Sequence, residues 1–140
     1  MESLDALLSR LRERPDPPLL VPRGVWDPVL SERIERLEAP PELRAALLLW
    51  NDHLERAHTI AQEIPTPTGS YLHGVMHRRE PDYGNSKYWV RRVGAHPAFE
   101  PLYAAARKLL EGPFRDVAEA APFGRRDAWD PFLMVDECEA

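Results

Sequence analysis

Histidine and cationic side chains are concentrated in one part of this sequence. All five histidines lie between residues 53 and 96, and the segment from His73 to His96 carries five cations and two anions, a net charge of +3. Because the whole chain has a formal net charge of −5, a local basic segment sits on an acidic domain. Such a segment suits one small anionic ligand held by arginine forks better than a long polyanion.

The polar side chains of this region are therefore the candidate ligand-binding residues. We expect a pocket between a long helix over residues 42–64 and the segment 73–96, with a small anionic molecule as its ligand. The candidates are Asn51, Gln62, His73, Arg78, Arg79, Asn85, Lys87, Tyr88, Arg91, Arg92 and His96.

One hypothesis is that this pocket is a metal-independent active site. His58 or His77 would act as general base, oriented by Glu55 or Glu80, while arginines stabilise developing negative charge. No nucleophile motif accompanies them, and the sequence contains neither a phosphate-binding loop nor a dinucleotide fingerprint. Whether the protein is an enzyme stays open at this stage.

A metal site is a less favoured alternative. His73 and His77 are one helical turn apart with Glu80 three residues further on, a spacing that metal ligands use. Gly74 weakens a helix there, and the arginines at 78 and 79 place positive charge where a cation would bind. The sequence therefore predicts no cofactor, with a divalent metal as the minor hypothesis.

A structural role is the remaining alternative. Arginines 78, 79, 91 and 92 would then pair with internal carboxylates at positions 55, 63, 80 and 82 and hold short helices together. The surface of such a module would serve a protein partner or a second copy of the chain.

One block of the sequence also resembles a known family. Residues 73–97 read HGVMHRREPDYGNSKYWVRRVGAHP, which resembles the signature of a family of small uncharacterised bacterial and fungal proteins. The likeness extends over most of residues 43–138 and includes a helix similar to residues 50–62 and a C-terminal Trp-Asp-Pro-Phe segment. The resemblance implies that residues 50–96 matter, and it implies no particular reaction.

Proline divides the chain into the elements that must position these residues. Fifteen prolines are about twice the usual share of roughly 5 %, and proline rarely lies inside helices. Helices are predicted over 3–14, 28–38, 42–64, 85–93, 101–111 and 132–138, with one or two helical turns over 114–121. Trp-Asp-Pro occurs before two of them, with the aspartates at 27 and 130 as N-caps.

The 42–64 helix is the longest of these elements. Its apolar residues recur every three or four positions, and a polar stripe of Asn51, Glu55, His58 and Gln62 runs beside them. We expect His58 to lie within about 12 Å of the side chains of the 73–96 segment, the span of one bridging ligand.

The overall prediction is an all-α fold, a single compact domain of about six short helices around the longer one, with proline-rich connections. Residues 1–26 form an N-terminal helix and an extended linker, and residues 42–138 form the family-like core. At most a minor β-hairpin is expected, because no segment of five or more residues alternates polar and apolar residues with β-branched enrichment.

Composition excludes several classes. A single cysteine, Cys138, makes no internal disulfide, so a reducing cytoplasm is the expected location. Met1 to Arg14 mixes charges too densely for a signal peptide or a membrane span. The acidic balance argues against binding to nucleic acid or to an anionic membrane.

Overall fold

Capping residues followed by proline begin several of the helices. Asp27, Thr66 and Asp130 each precede a proline at the start of a helix, and each side chain accepts a backbone N–H from the first turn. This arrangement satisfies donors that have no partner within the helix. Both Trp-Asp-Pro tripeptides are thus helix starts, as predicted.

The computed structural model describes residues 1–140, apart from the side chain of Glu119. The regular secondary structure of the described residues is all helical, with no strand, and the chain forms a single compact domain. The helices are α1 (Leu4–Arg12), α2 (Pro28–Glu35), α3 (Pro41–Trp50), α4 (Leu54–Ala61), α5 (Pro67–Arg79), α6 (Tyr83–Val90), α7 (Phe99–Glu111), α8 (Ala121–Gly124) and α9 (Pro131–Glu139).

The prediction of one long helix over 42–64 is wrong, because the helix is interrupted at residues 51–53, between α3 and α4. Asp52 has a φ of 61°, a left-handed conformation that aspartate tolerates better than most residues. Its carboxylate pairs with Arg14 and Arg79, and the carbonyl of Asn51 accepts the N–H of Trp26. Tertiary contacts of these two residues therefore end a helix that apolar periodicity alone would continue.

Helix α5 was not among the predicted helices: it begins at Pro67, in a proline-rich segment that the sequence indicates to be a connection, and continues through Gly74 to Arg79. Other helix boundaries differ from the prediction by a few residues. The helix predicted over 85–93 begins at Tyr83 and ends at Val90, and Gly94 follows with a φ of 67°, the left-handed conformation that glycine adopts most easily. The turns predicted over 114–121 contain a short 3-10 helix, Ala118–Ala120.

The apolar core joins the first five helices. Leu7 and Leu11 of α1 are almost fully buried, so the N-terminal helix is integral to the fold. The core consists of Leu7, Leu11, Leu30, Ile34, Leu37, Leu47, Leu48, Leu49, Ala57 and Met76. Helix α5 packs against α3, α4 and α6, and α9 covers α6. None of the helices combines the length and the apolar character that a membrane span requires.

Candidate functional site

Three histidines meet where α4 packs against α5. The ring centroid of His58 lies 4.7 Å from that of His73 and 5.2 Å from that of His77, and the His73 and His77 rings are 4.8 Å apart. One ligand nitrogen from each residue falls within 4.8 Å of the other two. The expected proximity of His58 to the 73–96 segment is thus confirmed.

The two histidines of α5 are held inside the protein. His73 is 5 % exposed and His77 is 6 % exposed, whereas His58 is partly exposed. Since residues four apart lie one above the other on a helix, His73 and His77 face α4 together. The pair forms the buried floor of the cluster, and His58 forms its accessible side.

Glu80 orients the His77 ring from the end of α5. Its Oε1 lies 2.6 Å from Nδ1 of His77, and Oδ2 of Asp82 lies 3.9 Å from the same nitrogen. In the tautomer with its proton on Nδ1, His77 donates a hydrogen bond to Glu80, and Nε2 then carries the free lone pair. These three residues also form a second group whose ligand atoms lie within 4.8 Å of one another.

Trp89 covers His73 from α6. The indole and imidazole rings are stacked with centroids 4.0 Å apart. Burial, together with the neighbouring imidazoles of His77 and His58, lowers the pKa of His73 to about 4. His73 is therefore neutral at neutral pH, the form in which imidazole binds a metal and not the form that attracts an anion.

Gly74 allows α6 to approach α5 closely enough for this stacking. A Cβ at position 74 would lie 3.1 Å from Cγ2 of Val90 and 3.3 Å from the carbonyl oxygen of Ser86. The Ser86 hydroxyl donates to the carbonyl of Gly74 at 2.6 Å. The glycine that seemed to weaken a helix here is a packing residue at the α5–α6 contact.

Several predicted ligand-binding residues make contacts that hold the fold. Asn51 is fully buried and bonds to Ser31 and to the backbone of Asp27. Lys87 pairs with Asp136 of α9 at 2.6 Å. Both ring nitrogens of His96 make hydrogen bonds: Nε2 bonds to the hydroxyl of Thr68, and Nδ1 accepts the backbone N–H of Ala98.

Arg79 is the most fully engaged of the predicted arginines. Its guanidinium pairs with Asp52 and donates to the carbonyls of Leu19, Leu20 and Leu49. The positive charge at position 79 is thus neutralised inside the protein and does not face the histidines as an open charge.

The other candidates lie around the cluster or away from it. Glu55 and Gln62 are exposed on α4, so the predicted stripe does not point into the site as a unit. Asn85 bonds to Asp82. Tyr88 and Arg92 pack on Trp89 from the outside, and Arg91 is exposed. Arg78 is mostly buried and lies within electrostatic reach of Tyr71 and Cys138.

Sequence reasoning missed Trp89 and Asp82 as members of the site. An aromatic residue within a histidine-rich segment is the signal that would have suggested Trp89, but stacking on one particular ring requires the α5–α6 contact. Asp82, considered above only as a carboxylate partner for arginine, is the N-cap of α6, and its Oδ2 lies 3.9 Å from Nδ1 of His77.

The chain matches no protein-family model, no curated protein and no solved structure. The family resemblance of residues 73–97 therefore stays a prediction.

Proposed function

We propose that the protein binds a divalent transition metal ion, zinc in the first instance, through His58, His73 and His77. The convergence of three imidazole nitrogens within 4.8 Å is the observation that carries this proposal. Imidazole is a preferred ligand of zinc, copper, nickel and iron. Two histidines four residues apart on one helix, joined by a third from a neighbouring helix, form a recurrent catalytic ligand set.

The surroundings of the three rings favour a cation over an anion. Glu80 bonds to Nδ1 of His77, the carboxylate–histidine–metal arrangement that fixes the ring and raises its basicity. The buried His73 stays neutral above its pKa of about 4, so it offers a lone pair at neutral pH. An anion would instead need charged imidazoles here, which burial disfavours.

The spacing of the three nitrogens is compatible with one metal ion. In a tetrahedral site with bonds of about 2.0 Å, ligand nitrogens lie about 3.3 Å apart, and the three imidazole nitrogens here all lie within 4.8 Å of one another. His73 is held by Trp89 and His77 by Glu80. Of the three ligands, the partly exposed His58 is therefore the one whose side chain is freest to adjust to the ion.

Three protein ligands leave one coordination position for water or a substrate. A zinc ion in such a site lowers the pKa of its bound water to about 7 and polarises carbonyl or phosphoryl oxygens. Water activation is thus the chemistry that we assign to the loaded site. His58 is more exposed than His73 and His77, so a substrate would approach from its side.

Titration of the metal-free protein with zinc tests the proposal. We expect one ion per chain with an affinity in the micromolar range or tighter, and a large loss in His58→Ala and His77→Ala. His96→Ala is the matched control and keeps the affinity, because that ring lies outside the cluster. His58 is partly exposed, so its variant stays folded. Unchanged zinc binding in His58→Ala would overturn the proposal.

A metal-free general base is the second candidate function. The 2.6 Å contact between Glu80 and His77 is also the geometry that orients a catalytic imidazole. Under that hypothesis a chelator would leave the activity of the protein intact. Zinc bound to His77 would inhibit that activity, because it would occupy the imidazole that acts as the base.

A further inference from the structure

A cavity lies at the N-terminal end of α7. Its volume is about 300 Å³, at the lower end of the range of roughly 300–1,000 Å³ that small-molecule sites span. Phe99 and Tyr103 line it from the first turns of α7, and Trp129 lines it from the segment that precedes α9. None of the three clustered histidines lines this cavity, so it is not part of the candidate metal site.

The aromatic rings at this cavity are held by contacts with one another and with α5. The ring centroids of Phe99 and His96, which both line the cavity, lie 5.7 Å apart. Both rings pack on Tyr71 of α5, at centroid distances of 5.3 Å and 5.8 Å. The indole N–H of Trp129 donates to the Tyr71 hydroxyl at 3.3 Å. The aromatic lining is therefore positioned by the fold before any ligand binds.

The lining of this cavity carries no positive charge. None of the described residues that line it is a lysine or an arginine. His96 is neutral here, because its Nδ1 accepts the backbone N–H of Ala98, and an imidazolium has no lone pair with which to accept. Arg126 lies next to the lining in sequence, but its carbonyl accepts the Tyr103 hydroxyl and its Nε lies 3.8 Å from Asp130.

Two carboxylates belong to the lining instead. Glu100 and Asp127 both line the cavity and both are exposed. Neither lies within ion-pair distance of a cation among the described side chains. The faces of aromatic rings are also electrically negative, and like charges near a cleft attract the opposite charge into it. The cavity is therefore complementary to a cation and not to an anion.

The chemistry of the walls distinguishes among cations. The lining is mostly apolar, whereas a metal ion or a primary ammonium needs several oxygen acceptors in place of the water that it loses. A quaternary ammonium needs no such acceptors, because its methyl groups donate no conventional hydrogen bonds. Aromatic side chains with a neighbouring negative charge are the usual receptor for this cation.

We infer that this cavity binds a methylated ammonium group, packed against Phe99, Tyr103 and Trp129 and balanced in charge by Glu100 and Asp127. The same trimethylammonium head occurs in free small molecules such as choline and in the trimethylated lysine side chains of proteins. The inference uses none of the three clustered histidines and needs no metal, so it stands if the metal proposal fails.

NMR titration of the metal-free protein tests the inference. Choline is compared at matched ionic strength with 3,3-dimethylbutan-1-ol, its neutral isostere, in which carbon replaces the charged nitrogen. We expect choline to bind at least about tenfold more tightly, because the isostere keeps the shape and the apolar surface but loses the charge. The methyl resonance of bound choline should move upfield, since ring currents shield protons that lie over aromatic faces.

A second arm of the titration identifies the source of the trimethylammonium head. The Nα-acetyl amide of trimethyl-lysine is titrated in the same way, and the tighter of the two trimethylammonium compounds indicates a free small molecule or a protein side chain. Failure of both compounds to bind, or binding of the neutral isostere as tight as that of the better compound, would overturn the inference.

Matched variants locate the ligand in the cavity. The double variant Glu100→Gln, Asp127→Asn should weaken choline binding by about three- to tenfold and leave binding of the neutral isostere unchanged. Glu111→Gln is the control, because this carboxylate lies on α7 beside Arg107 and outside the lining. Tyr103→Leu should reduce the preference for choline over the isostere. The carboxylate substitutions are at exposed positions and keep the fold, and unchanged choline binding in the double variant would overturn the inference.

Discussion

Glu80 Oε1 lies 2.6 Å from Nδ1 of His77, so the last residue before the α5–α6 turn sets the orientation of a buried imidazole one turn back. The contact brings a partly exposed carboxylate to a ring that is itself inside the protein. Because Glu80 raises the basicity of the His77 ring, it strengthens the binding of a proton or a metal ion at Nε2.

Replacing Glu80 by glutamine should weaken zinc binding by about 10–100-fold. Glutamine keeps the size and the acceptor oxygen but loses the charge that raises the basicity of His77. The measurement is a competition titration against a chromophoric chelator, and Glu55→Gln, an exposed glutamate on α4, is the control. Equal affinities of the two variants would show that Glu80 does not support a metal ligand.

Much of the local structure followed from the sequence. The N-caps Asp27 and Asp130 were predicted correctly, because a cap depends on neighbours along the chain. The end of the helix predicted over 85–93 was placed too late, since α6 ends at Val90. The all-helical class followed from the apolar periodicity and the absence of alternating segments. The meeting of His58 with the 73–96 segment followed from the short connection between them.

Long-range contacts explain what the sequence did not show. Nothing near Asp52 indicates that Arg14 and Arg79, far away in the chain, would hold it in a left-handed conformation and break the 42–64 helix. The same break removes Asn51 from the stripe and leaves His58 as the one member that meets the histidines of α5. Arginines also look alike in sequence, although Arg79 is neutralised internally and Arg78 is not.

The free energy of unfolding of the metal-free protein should fall as the pH is lowered from 6.5 toward 4. His73 has a pKa of about 4 in the folded protein against an ordinary 6.5, so between these values the unfolded chain binds more protons. Stability is therefore complete above 6.5 and is lost as the pH falls, by about 3 kcal/mol for this group. Urea unfolding at stepped pH measures it.

His73→Gln is the companion variant for this pH dependence. It removes the titrating group, so its unfolding free energy should change less between pH 6.5 and 4 than that of the natural protein. Identical pH profiles would show that His73 is not held neutral by its surroundings.

Asp52→Asn should cost about 3–5 kcal/mol of stability. Asparagine also accepts the left-handed backbone, so the change isolates the loss of charge opposite two buried arginines. The control is Glu35→Gln, which breaks the more exposed pair with Arg56 and should cost less than about 1 kcal/mol. Urea unfolding of both variants compares them, and a small loss in Asp52→Asn would contradict an internal role for Arg79.

The metal centre is tested most directly by anomalous diffraction from crystals of the protein soaked with zinc. The account predicts one peak about 2.0 Å from a nitrogen of each of His58, His73 and His77. A zinc peak held by Glu80 and Asp82 without His58, or no peak at the three histidines while zinc occupies other positions, would contradict it.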